Sequence, residues 1–242
     1  MRSIVIAGLA AALVASCGPQ KREEPPATPA PVALPASTGL SLEGRITATG
    51  AEQGWRLDVA PEGLVFTHPG GSVQSPYSAP AMDEAGALLT SARIKARFLV
   101  QPCAEASGAT APMRVRVEVQ GMGTFDGCAY ARWDNNLESL IPAIDACLGA
   151  TTEPSPVIFA APLASGTLVR LRGVEDGERY DCVVDPAGLA SILQSEAPIA
   201  PGERDPTFTR APTDTPPRAC EAVEIKGKDG VLLGWETHGQ TC

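Results

Sequence analysis

The sequence predicts a mainly β protein: two small antiparallel β units, barrel- or sandwich-like, joined by a short helical segment and preceded by a signal peptide and a Pro-rich tether. Three observations lead there. Apolar residues alternate at period two in several short runs, one stretch after residue 134 keeps helical spacing instead, and 23 Pro with 24 Gly in 242 residues argue against long helices. The hydrophobic fraction of 44% excludes a wholly disordered chain. Two His leave a His-based catalytic or metal apparatus almost nothing to work with, and a formal charge of -9 argues against a dedicated nucleic-acid binder.

The first unit is expected over residues 40–133. Gly44 to Ala48, Trp55 to Val59 and Leu64 to Thr67 read as short strands, with Ala60-Pro61-Glu62-Gly63 as the turn between the last two. In Arg93 to Val100, the residues Ile94, Ala96, Phe98 and Val100 face one way and Arg93, Lys95 and Arg97 the other. Met113 to Val119 repeats this, with Met113, Val115, Val117 and Val119 inward and Arg114, Arg116 and Glu118 outward. Such strands have one dry and one wet face, as antiparallel sheets do.

The second unit, residues 134–242, opens with Asp134 and Asn135 as candidate caps. A helical pattern of Leu137, Leu140, Ile141, Ile144, Cys147 and Leu148 follows. Pro142 interrupts it, so the expectation is one turn, a kink and a short helix from Pro142, joining or covering the two units. Strands are expected at Val157 to Ala160, Thr167 to Arg172 and Arg179 to Val184, the last two joined by a turn at Glu175-Asp176-Gly177. Pro198 to Pro217 reads as a long loop or covering segment with Phe208 as a strand centre. A terminal hairpin with Lys228-Asp229-Gly230 as a three-residue loop, Gly230 left-handed, would set Ile225 against Leu233 and Val223 against Trp235.

The N-terminus carries an address. Arg2 precedes an apolar run from Ile4 to Ala15, too short to span a bilayer and laid out as a secretory signal. The run ends in Val14-Ala15-Ser16-Cys17, which resembles the bacterial lipobox. The resemblance implies that residues 1–16 are removed and that Cys17 is acylated, with a diacylglycerol thioether and an amide-linked acyl chain such as palmitate. Several chains, at about 0.8 kcal/mol per buried methylene, hold a protein on a membrane far more firmly than one. Gly18 stands where, by the sorting rule of enteric bacteria, Asp would retain a lipoprotein on the inner membrane, so the resemblance directs the chain to the outer membrane, facing the periplasm. Residues 17–39 form the linker, with Pro19, Pro25, Pro26, Pro29, Pro31 and Pro35 favouring extended polyproline geometry. About twenty residues at roughly 3.1 Å each reach about 60 Å. Loss of Arg2 takes the formal charge from -9 to -10, so an anionic membrane repels the body and a spacer suits it.

Of the seven Cys, six remain after Cys17: Cys103, Cys128, Cys147, Cys182, Cys220 and Cys242. An even remainder in an exported chain suits a disulfide framework. Neighbour pairing is expected, because each pair brackets a hairpin-sized segment. Cys182 to Cys220 remains an alternative among the last two pairs. No Cys-x-x-Cys occurs, against a redox centre or zinc ribbon.

Gly50-Ala51-Glu52-Gln53-Gly54-Trp55, then Cys103, then Gly127-Cys128-Ala129, resemble a pattern in a poorly characterised family of bacterial envelope lipoproteins and predicted membrane proteins. That pattern reads Gly-Thr-Glu-Pro-Phe-Trp, a Cys ahead of Asp-Gly-Met-Ser-Asp, then Gly-Cys-Ala. Gly50, Glu52, Trp55, Cys103, Gly127, Cys128 and Ala129 match. Gln53 and Gly54 replace Pro-Phe, and Ala104 to Ala111 lacks the middle motif. The resemblance spans about 85 residues, implies a small β-rich fold, supports a Cys103 to Cys128 bond and brings no activity. Glu52 and Trp55 are candidates to line a binding site, against the plainer reading of Trp55 as a core anchor and Glu52 as a local partner.

The outward stripe of Arg93, Lys95, Arg97, Arg114 and Arg116 is a second candidate, suited to an anionic envelope component such as a phosphate or carboxylate. The plain alternative is a solvated face balanced by neighbouring Asp and Glu. There is no nucleophile elbow, His-Glu-x-x-His, Walker loop or dinucleotide fingerprint, and Gly70-Gly71-Ser72 has no following helix or Lys. His68 and His238 have no partner legible in the sequence. No cofactor, metal or catalytic residue is expected. The chain reads as a lipid-anchored envelope protein with a binding or structural role. An inhibitor of a lysozyme or protease, and a peptidoglycan or glycan hydrolase, stand as alternatives. Expected partners are the membrane, through the lipid, and an envelope protein or anionic envelope component, without nucleic acid.

Overall fold

A computed structural model describes residues 42, 44–50, 54–84, 86–152, 155–211 and 222–238. The signal, Cys17, the tether, Glu52, Cys220 and Cys242 lie outside them. Just over half of the described residues are strand, arranged as a curled half-barrel sheet and a second sheet.

The first sheet is built from β1 (Ile46–Gly50), β2 (Trp55–Ala60), β3 (Gly63–His68), β4 (Gly71–Ser75), β5 (Ala81–Asp83), β6 (Gly86–Thr90), β7 (Ile94–Leu99), β10 (Met113–Val119) and β11 (Gly123–Ala131). Between β7 and β10 lies a small hairpin of β8 (Cys103–Ala104) and β9 (Thr110–Ala111). The order β4-β3-β2-β1-β11-β10-β7-β6-β5 is antiparallel throughout. The sheet curls until one edge meets a turn near the other: Ser75 Oγ lies 2.7 Å from Ser91 Oγ and accepts from the Arg93 N–H at 3.1 Å. Inside, Trp55 stacks on Phe66 at 5.7 Å, and Phe125 meets both at an angle, 6.1 and 4.8 Å away, among Leu57, Leu64, Leu89, Phe98 and Val115. Each such side chain contributes about 1.5 to 3 kcal/mol by burial. Met113 to Val119 alternates as the sequence predicts. Val100, however, lies beyond β7 and is 56% exposed, because that strand ends at Leu99.

The second sheet runs β15-β14-β13-β12-β16-β18-β17, again antiparallel. Its strands are β12 (Val157–Leu163), β13 (Gly166–Arg172), β14 (Arg179–Val184), β15 (Ala190–Gln194), β16 (Thr207–Arg210), β17 (Val223–Lys226) and β18 (Leu232–Thr237). The helix differs from expectation: a 3-10 turn at Trp133–Asn136 leads into α1 (Leu137–Gly149), which contains Pro142 rather than starting at it. Pro142 sits early enough that only one ladder donor beyond the first turn is lost. Neither Asp134 nor Asn135 caps the helix. Asp134 binds Arg132, and the Asn135 amide brackets Arg45, accepting from its N–H at 2.6 Å and donating to its C=O at 2.9 Å. Leu137, Leu140, Ala143, Ile144 and Cys147 face the second core, and a Cys147–Cys182 disulfide fixes the helix to β14.

Phe208 is fully buried at the heart of β16, inside the passage expected as a loop. The terminal hairpin has the expected three-residue loop with Gly230 at φ 80°, but its register is different. A bulge after Lys226↔Leu232 sets Ile225 opposite Gly234 and Val223 opposite Glu236. The extra residue leaves both Ile225 and Leu233 packed on the core.

The two sheets meet through charge. From the first come Arg56, bonded to Asp58 at 2.6 Å and to Asp205, and Arg132, whose guanidinium bridges Asp134 at 2.5 Å and Glu236 at 3.0 Å. Trp133 donates its indole N–H to the Pro206 carbonyl at 3.1 Å. His238 is not isolated: its Nδ1 lies 3.0 Å from Asp205 Oδ1. Burial, and then the neighbouring Asp134 carboxylate, push Glu236 up to about 7 despite Arg132, whereas burial and the nearby Arg132 and Arg56 lower His238.

Two outcomes follow from this architecture. Replacing Cys147 and Cys182 together by Ala reopens a loop of sequence separation 35 and should cost about 3 to 4 kcal/mol in denaturant unfolding. In the unfolded chain Glu236 ionises near 4.5, while the folded chain holds its proton to about 7, so its contribution to stability falls as pH rises through that window. Glu236→Gln should therefore gain stability relative to the parent by about 2 kcal/mol between pH 5 and 8, measured by thermal unfolding.

Candidate functional site

A cleft of 710 Å³ opens on the outer face of the first sheet, between strands β1, β11 and β10 and the β8–β9 hairpin. The alternation that sends Phe125 and Ala129 inward sends Thr124, Asp126, Cys128 and Tyr130 outward, and these make the floor with Thr49 and Arg114. The wall is Cys103 to Ser107. A Cys103–Cys128 disulfide with Cα atoms 5.4 Å apart binds wall to floor. Trp55 reaches the cleft between two glycines. A Cβ on Gly50 would strike its indole Nε1, and one on Gly127 would strike the Thr49 carbonyl and approach the indole to 2.7 Å. Of the residues matching the envelope-protein pattern, Gly50, Trp55, Cys103, Gly127 and Cys128 thus line one place, while Glu52 lies outside the described residues.

Glu105 dominates the wall. Its Oε2 accepts from Ser107 Oγ at 3.0 Å, and its Oε1 is buried with no partner. Burial pushes its pKa up, against the Ser107 hydrogen bond. Tyr130 is pushed up to about 12, chiefly by burial. Its ring lies so close to Gly202 of the second unit that a Cβ there would overlap it. The cleft contains no His, and among the described residues no group of three or more His, Cys, Asp or Glu is placed to hold a metal ion.

The cationic stripe is largely neutralised. Lys95 lies 3.6 Å from Glu118, Arg97 2.6 Å from Asp83, and Arg116 binds Asp126 through Nε at 2.9 Å and Nη2 at 3.3 Å. Arg93 and Arg114 form no salt bridge among the described residues, and of the five only Arg114 lines the cleft. The stripe is therefore not one binding surface but a paired face with Arg114 at the cleft. Sequence reasoning missed Glu105, Ser107, Thr124, Asp126 and Tyr130. No motif marks them: Glu105, Ser107, Thr124 and Asp126 share only their place inside the loop that Cys103 and Cys128 close, and Tyr130 lies just beyond it.

Gly127→Ala should destabilise the fold by about 2 kcal/mol in thermal unfolding, because the new methyl meets backbone and a packed indole. Gly149→Ala, with nothing near its would-be Cβ, should leave stability within about 0.5 kcal/mol. No known protein family, curated protein or solved structure matches this chain.

Proposed function

We propose that this protein is exported, held by acyl chains on Cys17 at the outer membrane facing the periplasm, and acts there as a non-catalytic binding module. The observation that carries the binding role is the cleft: a walled cavity lined both by Glu105, with an unpartnered buried carboxylate oxygen, and by Arg114, which forms no ion pair among the described residues. The export reading is supported by Val14-Ala15-Ser16-Cys17 and by the two disulfides, since thiols stay reduced in the cytosol and oxidise in the periplasm.

Cys17→Ser should remove the acyl groups, so the protein leaves the detergent-extracted membrane fraction, and a form still found there would count against the anchor. Mass spectrometry of the N-terminal peptide checks this directly: the parent should begin at Cys17 and carry the acyl mass. An N-terminus at another residue, or an unmodified Cys17, would overturn the anchor. Incubation with purified cell wall separates the other readings. A binding module co-sediments, an inhibitor suppresses added lysozyme in proportion to its amount, and a hydrolase releases soluble muropeptides.

A further inference from the structure

The cleft holds two charges that do not neutralise each other. Glu105 Oε1 is buried with no hydrogen-bond partner, and a buried acceptor left unmade costs about 1 to 3 kcal/mol until a donor arrives. Arg114 is exposed and lines the same cleft, and no salt bridge joins it to Glu105 or to any other described carboxylate. The neighbouring cations Lys95, Arg97 and Arg116 each have a carboxylate within 4 Å. Arg114 alone among the cleft residues presents a free planar fork, the shape that grips a carboxylate at two points.

We propose that the cleft binds a short zwitterionic peptide, with Glu105 receiving its ammonium and Arg114 its carboxylate. This rests on the binding-module reading. A simple anion would meet Arg114 but be opposed by Glu105 and Asp126, and a simple cation would be opposed by Arg114. A ligand carrying both charges satisfies both walls. The 710 Å³ volume falls in the range of small-molecule sites and exceeds what one amino acid fills. The Thr49 and Thr124 hydroxyls that also line the cleft can serve as donors and acceptors for peptide amides.

The test titrates the purified chain, processed as the cell delivers it, with Ala-Ala-Ala, its N-acetyl form and its C-terminal amide. The free tripeptide should bind saturably, and each blocked form at least tenfold more weakly. Arg114→Gln should bind the tripeptide and its amide alike, and Glu105→Gln should bind the tripeptide and its N-acetyl form alike. The blocked peptides probe the unaltered protein, so the result does not hinge on either variant folding. Equal affinity for all three, or no saturable binding of Ala-Ala-Ala, overturns the proposal. A further arm uses purified cell-wall sacculi. Co-sedimentation that Ala-Ala-Ala displaces assigns the peptide to the wall, and tripeptide binding without co-sedimentation assigns it to free peptides. Co-sedimentation that the tripeptide does not displace overturns the zwitterion while leaving the binding module intact, and release of muropeptides overturns both.

Discussion

The arrangement of this molecule depends on a guanidinium with no exposed surface. Arg170 on β13 grips its cross-strand neighbour Asp181 through Nε at 2.6 Å and Nη2 at 3.1 Å, and it reaches Glu203 at 2.5 Å. Burial alone would lower the Arg170 pKa, but hydrogen bonds and charge from Asp181 and Glu203 raise it. Glu203 is also held by Arg179 at 3.1 Å and by the Ala200 N–H at 3.0 Å. A buried charge with every partner in place is tolerated, whereas removing one partner typically costs about 3 to 5 kcal/mol. The segment that Glu203 anchors carries Gly202 to the Tyr130 ring, Asp205 to Arg56 and the Pro206 carbonyl to Trp133. Much of the contact between the two sheets thus runs through one loop, which Arg170 holds in place, with the Arg132–Glu236 pair beside it.

Charge is distributed asymmetrically across that junction. Arg56 and Arg132 come from the first sheet, Asp205 and Glu236 from the second, with Asp58 and Asp134 as local companions. Tyr130 lies between the junction and the cleft, its ring against Gly202 while the residue also lines the cavity. The cleft floor therefore rests on both units, although every residue lining it belongs to the first. Gly50 and Gly127 serve the same end on the barrel side, since any larger residue there would displace the indole of Trp55.

Strands with one wet and one dry face were legible. Met113–Val119 and Arg179–Val184 fall at their expected boundaries, because alternation is the direct imprint of half-burial. β11 was not, since Phe125 is the one apolar inward residue of its first half, set between Gly123 and Gly127, too few to mark a period. β15 was missed because it is an edge whose apolar Leu193 is exposed. Pro142 misplaced the helix start, as local propensity is overridden where Leu140, Ile144 and Cys147 pack on a sheet. The hairpin loop was right in length but a bulge absorbed one residue, which no pairing of apolar residues could reveal. At the site, Arg114 was visible only as one cation in a row. Glu105 carried no signal, because what distinguishes it is the absence of a partner, a property of three dimensions.

Cys103 and Cys128 carry a consequence beyond stability. Wall and floor of the cleft are separate pieces of chain, β8 and β11, and the sulfur bridge is the covalent connection between them. The cavity is accordingly a product of oxidation as much as of folding: the chain acquires its ligand-sized recess in the step that consumes two thiols. A copy in which this one bridge remained reduced would retain its two cores, whose hydrophobic clusters do not include this pair, while its wall would lose its covalent tie to the floor. Competence of the site is thereby tied to the redox history of each molecule.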